Sequence, residues 1–220
     1  MLPPPSPPPL PHPGLLQTPA SKHAPEQKPN TSLYVPTTGP PNSVSLSLLI
    51  YNGWPFANHW EYYTASPIDP NIGVVMQAAG NVRKGFWLEI KRGWDISLPE
   101  QKPDQIIGLG WVAGTLVEPL ETVFRVGEDV VIEQEPKCQL ERMLFKVPAP
   151  GKTLRDVIDD HVSLTGCLAE PRANNMQIDR RVRIMQRNCQ TWVVETSELL
   201  VKEGILEQQV MDYLLANKQY

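Results

Sequence analysis

Proline is distributed so unevenly along this chain that it limits folding to the later part of the sequence. Fourteen of the 24 prolines stand in the first 41 residues, a stretch with few aliphatic side chains and one aromatic, Tyr34. Such a segment cannot bury enough apolar surface to offset the entropy lost on ordering. The sequence therefore predicts a disordered proline-rich tail over residues 1–44 and one folded domain over residues 45–220. It also predicts that residues 1–42 can be removed without unfolding that domain.

Charge and cysteine content disfavour several classes of protein. The net charge is −4 with a pI near 5.6, and the basic residues are scattered, which disfavours nucleic-acid binding. Three cysteines without metal-ligand spacing indicate neither a disulfide framework nor a metal site, and we expect no cofactor. No signal-peptide pattern and no run of 18 apolar residues occurs, so we expect no integral membrane segment and a location in the cytoplasm or nucleus.

The tail contains P-x-x-P spacings that could bind an SH3-like or WW-like domain. Any proline-dense segment produces such spacings by chance, so a spacer is the favoured interpretation of the tail.

The first half of the expected domain consists of short β-prone segments bounded by turn residues. Five strands are predicted, over residues 45–51, 59–63, 73–78, 85–95 and 106–116. Their short connections indicate an antiparallel sheet in which the first three strands are neighbours.

The second half favours helices. One helical face is predicted from Leu154, Val157, Ile158 and His161. Residue 188 is a good N-cap for a helix that ends near residue 204, and a last helix is predicted over residues 206–216. Strands followed by helices predict an α+β domain, with an antiparallel sheet packed against helices.

The candidate reactive pair is Cys189 and His59. If Asn188 caps its helix, Cys189 is the first helical residue, where free N–H groups and the helix dipole favour a thiolate. His59 is the only histidine on a predicted strand, which makes it the candidate base. Because successive strand residues alternate faces, Glu61 is expected to face away from His59 and to be solvated. Cys138 and Cys167 stand in no motif.

These residues resemble a known group of cysteine hydrolases. His59-Trp60 at the start of a strand, and N-C-Q-x-W at residues 188–192 opening a helix, are similar to the H-W and N-C-E-H-F signatures of LRAT-like proteins. That family is a permuted branch of the NlpC-like and papain-like enzymes. The pattern also resembles fungal proteins of unknown function with an H-W strand, an I-H-x-x-G strand and a C-Q-x-W helix. The resemblance covers residues 46–216 and implies a permuted papain-like fold.

The sequence departs from that pattern at Gln77, where the relatives carry an orienting histidine. An amide can hold an imidazole by a hydrogen bond but cannot carry charge. The resemblance implies that Cys189, His59 and Gln77 are catalytic. Asn188 would act as the helix cap that supports an oxyanion at the backbone N–H of Cys189.

Two functions remain open at this point. One is a cysteine-dependent hydrolase or acyltransferase that acts on an acyl or amide substrate. Related permuted folds include phospholipid acyltransferases, amidases and deubiquitinating peptidases, which leaves the substrate open. The alternative is a catalytically decayed papain-like scaffold that serves as a protein-interaction or accessory module, or as an anchor for the tail.

Overall fold

The run of β-prone segments folds into a single antiparallel sheet. The computed structural model describes residues 33–119, 130–152 and 186–219. The strands within these ranges are β1 (Ser43–Tyr51), β2 (His59–Ala65), β3 (Ile72–Asn81), β4 (Gly85–Asp95), β5 (Gln105–Ala113) and β6 (Val131–Glu133). Their order is β5-β1-β2-β3-β4-β6, and every neighbouring pair is antiparallel. The first three predicted strands are therefore adjacent, as expected.

The helices come mainly after the sheet in sequence, and this confirms the predicted α+β class. A 3-10 turn (Gly114–Leu116) is followed by the helices α1 (Gln139–Leu144), α2 (Cys189–Lys202) and α3 (Gln208–Asn217). Asn188 caps α2, because its side-chain oxygen accepts a hydrogen bond from the backbone N–H of Thr191 at 3.1 Å. Gly204 follows α2 with a φ of 71°, a conformation that glycine adopts without strain.

Two further findings concern the helices. The helical face predicted from Leu154, Val157, Ile158 and His161 lies outside the described residues. In the ranges that are described, no helix is long and apolar enough to cross a membrane.

Successive side chains along each strand point to opposite faces of the sheet, and the two faces carry different groups of residues. One face forms the main core with α2 and α3, including Leu48, Trp60, Tyr62, Met76, Ile90, Trp192, Leu200 and Leu214. In that core the rings of Tyr62 and Trp192 meet edge to face at 5.8 Å, and the Tyr62 hydroxyl donates to the carbonyl of Val193 at 2.8 Å. The other face carries a smaller cluster of Leu49, Tyr63 and Val75.

The folded domain begins earlier than the proline content predicts. Residues 33–42 lie against β5, where the Trp111 indole donates to the carbonyl oxygen of Pro36 at 2.8 Å. Leu33 packs against the main core, and β1 starts at Ser43. These contacts precede the predicted boundary at residue 45, and composition does not show them because the partner strand is 75 positions away. The disorder predicted for residues 1–32 lies outside the described residues.

Arg92 joins three carboxylates on the helix side of the sheet. Its guanidinium donates two hydrogen bonds to Glu141, at 2.9 and 3.0 Å, and one to Glu133 at 2.7 Å. Glu118 forms a further ion pair at 2.9 Å. Burial disfavours the charged form of Glu141, but Arg92 outweighs this effect and lowers the pKa of that carboxyl. The cluster connects β4 to β6 and to α1.

Replacing Arg92 with leucine should destabilise the protein severely. The substitution leaves the buried carboxylate of Glu141 without its partner, and we expect a loss of about 3–5 kcal/mol in the free energy of unfolding. Urea denaturation measures the loss. The control is Arg83→Leu, which changes an exposed arginine and should stay within about 0.5 kcal/mol of the parent. Similar midpoints for the two variants would contradict a structural role for the cluster.

A chain that begins at residue 33 should melt at a higher temperature than one that begins at residue 43. The shorter chain lacks the contacts with Trp111 and β5. A loss of about 1–2 kcal/mol corresponds to a decrease of about 2–8 °C in Tm for a protein of this size. Calorimetry of the two chains measures the difference in Tm. Equal melting temperatures would mean that residues 33–42 do not stabilise the domain.

Candidate active site

The sheet opens between β2 and β3 at the end where β2 begins. The paired register of these strands stops at Tyr62 and Met76, so the backbones of His59 and Glu61 are not paired with β3. The first turn of α2 lies at this end. Gln190, which is fully buried, donates from Nε2 to the carbonyl oxygen of Asn58 at 2.7 Å. This contact places the start of the helix directly beside the start of β2.

Cys189, His59 and Gln77 meet at this open end. Cys189 is close enough to His59 to raise the pKa of its ring, and Sγ of Cys189 lies 4.0 Å from the carbonyl oxygen of Asn58. Nε2 of His59 lies 2.7 Å from Oε1 of Gln77 and 3.1 Å from Oε1 of Glu61. Because Nε2 is engaged by these two groups, Nδ1 is the nitrogen available to the thiol. Among the described residues, no three potential metal ligands are grouped.

Glu61 lies beside His59, and the prediction that it faces away from this residue is wrong. It was expected to be solvated and to face away from His59, yet it is 2% exposed and contacts the imidazole. Residues two positions apart on a strand share a face, so His59 and Glu61 point the same way and only Trp60 turns to the other side. The period-2 pattern, correctly applied, would have identified Glu61.

The carboxylate of Glu61 has partners that offset the cost of its burial. Nζ of Lys91 lies 3.4 Å from its Oε1, and the same ammonium lies 4.2 Å from the centre of the Trp94 ring. Tyr51 lies close by: burial, followed by the negative charge of Glu61, raises the pKa of its hydroxyl. Oε2 of Glu61 has no hydrogen-bond partner in the described part of the chain. A buried, charged acceptor therefore stands next to Nε2 of His59.

The amide of Gln77 can take two orientations. In one, its oxygen faces Nε2 of His59 and its nitrogen donates to Glu89 at 3.3 Å. In the other, its nitrogen donates to Glu61 and to Nε2 of His59, and its oxygen accepts from Lys91, all at 2.7 Å. The first orientation suits a ring protonated at Nε2, whereas the second needs Nε2 to be unprotonated. In either orientation the amide of Gln77 contacts Nε2 of His59.

Three influences set the charge of His59. Burial has the largest individual effect and lowers the pKa of the ring. The hydrogen bonds and charges of Cys189 and Glu61 together outweigh burial and raise the pKa from 6.5 to about 10. The charged ring is therefore favoured at neutral pH.

The comparisons with known proteins identify a family but no characterised relative. Residues 46–207 match the model of a family of unknown function (DUF6540). This range includes β2, β3 and the first turn of α2, and hence all four residues of the site. No curated protein matches the chain, and no solved structure matches it.

His59 should remain protonated well above neutral pH. Because folding raises its pKa from 6.5 to about 10, the charged ring stabilises the fold fully below pH 6.5. That contribution is lost as the pH rises through about 10. Nitrogen-15 NMR of the labelled imidazole from pH 5 to 11 measures the midpoint, with residue 59 assigned through His59→Gln. Cys189→Ala should lower the midpoint, since it removes the hydrogen bond that raises the pKa most. A midpoint near 6.5 in the parent would contradict the described contacts.

Proposed function

The chain belongs to this family of unknown function, DUF6540, and we propose that it is a cysteine-dependent hydrolase or acyltransferase of acyl or amide substrates. The observation that carries the proposal is that the His59 imidazole contacts the buried carboxylate of Glu61, while Sγ of Cys189 lies 4.0 Å from the carbonyl oxygen of Asn58, the residue before His59. A nucleophile, a base and a group that orients the base are the three parts that thiol catalysis needs.

The proposed reaction proceeds through an acyl-enzyme. His59 holds the proton of the thiol, and the sulfur of Cys189 forms a bond to the acyl carbon of the substrate while the carbonyl electrons move to oxygen. The backbone N–H of Cys189, which has no partner within the helix because it is the first helical residue, donates to that oxygen. Collapse breaks the bond to the leaving group, which takes the proton from His59. Water then releases the acid in a hydrolase, or a second nucleophile accepts the acyl group in a transferase.

In this proposal Glu61 supplies the charge that Gln77 lacks. A carboxylate that accepts from Nε2–H keeps the proton on that nitrogen, so Nδ1 is the nitrogen that takes the proton of the thiol. It also stabilises the imidazolium that forms when the thiol loses its proton. Gln77 would then be an auxiliary partner of Nε2. The missing orienting histidine therefore does not argue against catalysis.

The permuted papain-like assignment is part of the same proposal. It is supported by a helix-start cysteine at the open end of an antiparallel sheet, downstream of a strand histidine. The alternative function, an interaction or accessory module, is favoured by one observation: Cys189 is only 6% exposed. An SH3-like or WW-like partner for the tail also remains a proposal, since the segment that would bind it lies outside the described residues.

Iodoacetamide should alkylate Cys189 faster than Cys138 near neutral pH. The two side chains are similarly covered, at 6% and 9% exposure, so a difference in rate reports activation rather than access. Burial raises the pKa of the Cys138 thiol, whereas Cys189 has an imidazole partner. Mass spectrometry of the three cysteine peptides, Cys167 included, measures the rates.

The same labelling experiment on protein variants distinguishes an active triad from a catalytically decayed one. His59→Ala should slow the labelling of Cys189 by about 100-fold, and Glu61→Gln by about 10- to 100-fold. Glu89→Gln is the matched control, because Glu89 contacts Gln77 but forms no contact with His59 that would orient the ring. An acyl-type activity probe should label the parent and not Cys189→Ala. Equal labelling of the cysteines, with no effect of the His59 and Glu61 variants, would favour the accessory module.

A further inference from the structure

A groove beside the candidate active site is formed by the connection between β1 and β2. It has a volume of about 370 Å³ and is lined by residues 54–58, Asn52 and Gln219. Trp54 and Phe56 stand on its outer side and are 84% and 81% exposed. Asn58 at its inner end is the residue whose carbonyl oxygen lies 4.0 Å from Sγ of Cys189. The groove and the thiol are therefore linked by a shared neighbour, Asn58.

Gln219 is bound in this groove through both its main chain and its side chain. The backbone N–H of Asn58 donates to Oε1 of Gln219 at 2.7 Å, and the backbone N–H of Gln219 donates to Oε1 of Gln190 at 2.7 Å. Nε2 of Gln190 also approaches Oε1 of Gln219, at 3.4 Å. The two residues that bind Gln219 are the neighbours of the reactive pair, because Asn58 precedes His59 and Gln190 follows Cys189.

We propose that the groove is a subsite for an extended peptide with a glutamine side chain, and that Gln219 occupies it in the free protein. The inference rests on the proposed function, for which it names the substrate class. The bound peptide takes over the two hydrogen bonds of Gln219, to Asn58 and to Gln190. A neighbouring apolar side chain of the peptide covers Trp54 and Phe56, whose exposure is otherwise unexplained.

The hydrogen bonds favour a peptide over a lipid chain. Gln190 is fully buried, so an occupant that displaces Gln219 must provide a donor for its Oε1 or leave that oxygen unsatisfied. An unsatisfied buried polar group costs about 1–3 kcal/mol. The backbone N–H of Asn58 likewise needs an acceptor. A peptide unit and a carboxamide supply both groups, whereas an acyl chain supplies neither.

The test measures binding of a fluorescein-labelled peptide, LLANKQY, whose sequence is that of residues 214–220. Fluorescence anisotropy is recorded in a Cys189→Ser background, so that binding is separated from chemistry. Gln219→Ala removes the side chain that accepts from Asn58 and should bind the peptide at least about tenfold more tightly than the parent, since the internal competitor is weakened. Gln209→Ala changes an exposed glutamine outside the groove and should leave the affinity unchanged. Trp54→Ala combined with Gln219→Ala should weaken binding again.

The outcomes distinguish this inference from the proposed function. Equal or absent peptide binding in the Gln219→Ala and parent proteins would overturn the inference, as would equal binding of LLANKAY. Binding to phosphatidylserine-containing vesicles that depends on Trp54, without peptide binding, would also overturn it and assign the aromatic residues to a membrane surface. Peptide binding together with His59-independent labelling of Cys189 would support the subsite and reject the thiol chemistry. Selective labelling of Cys189 without peptide binding would support the thiol chemistry and reject the subsite.

Discussion

The hydrogen bond from Gln190 to the carbonyl oxygen of Asn58 joins α2 to the start of β2, and the rest of the site depends on it. The amide of Gln190 is completely buried, so an alternative placement of the helix would leave a polar group unsatisfied. Since Cys189 and His59 are the immediate neighbours of these two residues, the bond sets the distance between thiol and imidazole. The same glutamine also binds Gln219, and the reacting sulfur and the groove are therefore anchored together.

The electrostatics of the site follow from the face on which its charges lie. His59, Glu61 and Lys91 project from the side of the sheet opposite the main core, where their charges alternate. Burial weakens screening by water, so each charge has a larger effect on its neighbour than it would at the surface. For this reason the pKa of the His59 ring is raised although the ring is partly buried. Gln77 is neutral, and its amide contacts Nε2 of the ring without adding a charge to the site.

Local patterns predicted much of the fold and only part of the site. The strands from β1 to β5 follow from alternating apolar residues, and α2 follows from the cap at Asn188 and its apolar stripe. A strand as short as β6 has too few residues to show a pattern. The position of Glu61 beside His59 follows from the same period-2 argument, because residues 59 and 61 lie on the same face of β2. The contact of Gln219 with Asn58 spans 161 positions, and no local signal marks it.

Lys91 and Arg92 are consecutive residues of β4, and their opposite orientations have a consequence for strand pairing. Lys91 faces Glu61 on one side of the sheet, while Arg92 faces Glu141 on the other. A slip of β4 by one residue would exchange the faces of both side chains and separate two buried cations from their carboxylates. Each broken pair costs several kcal/mol, whereas a slip of a purely apolar strand costs much less. The two neighbouring cations thus select a single alignment of β4. The ion cluster of Arg92 on one face therefore helps to fix the position of Lys91 in the site on the other face.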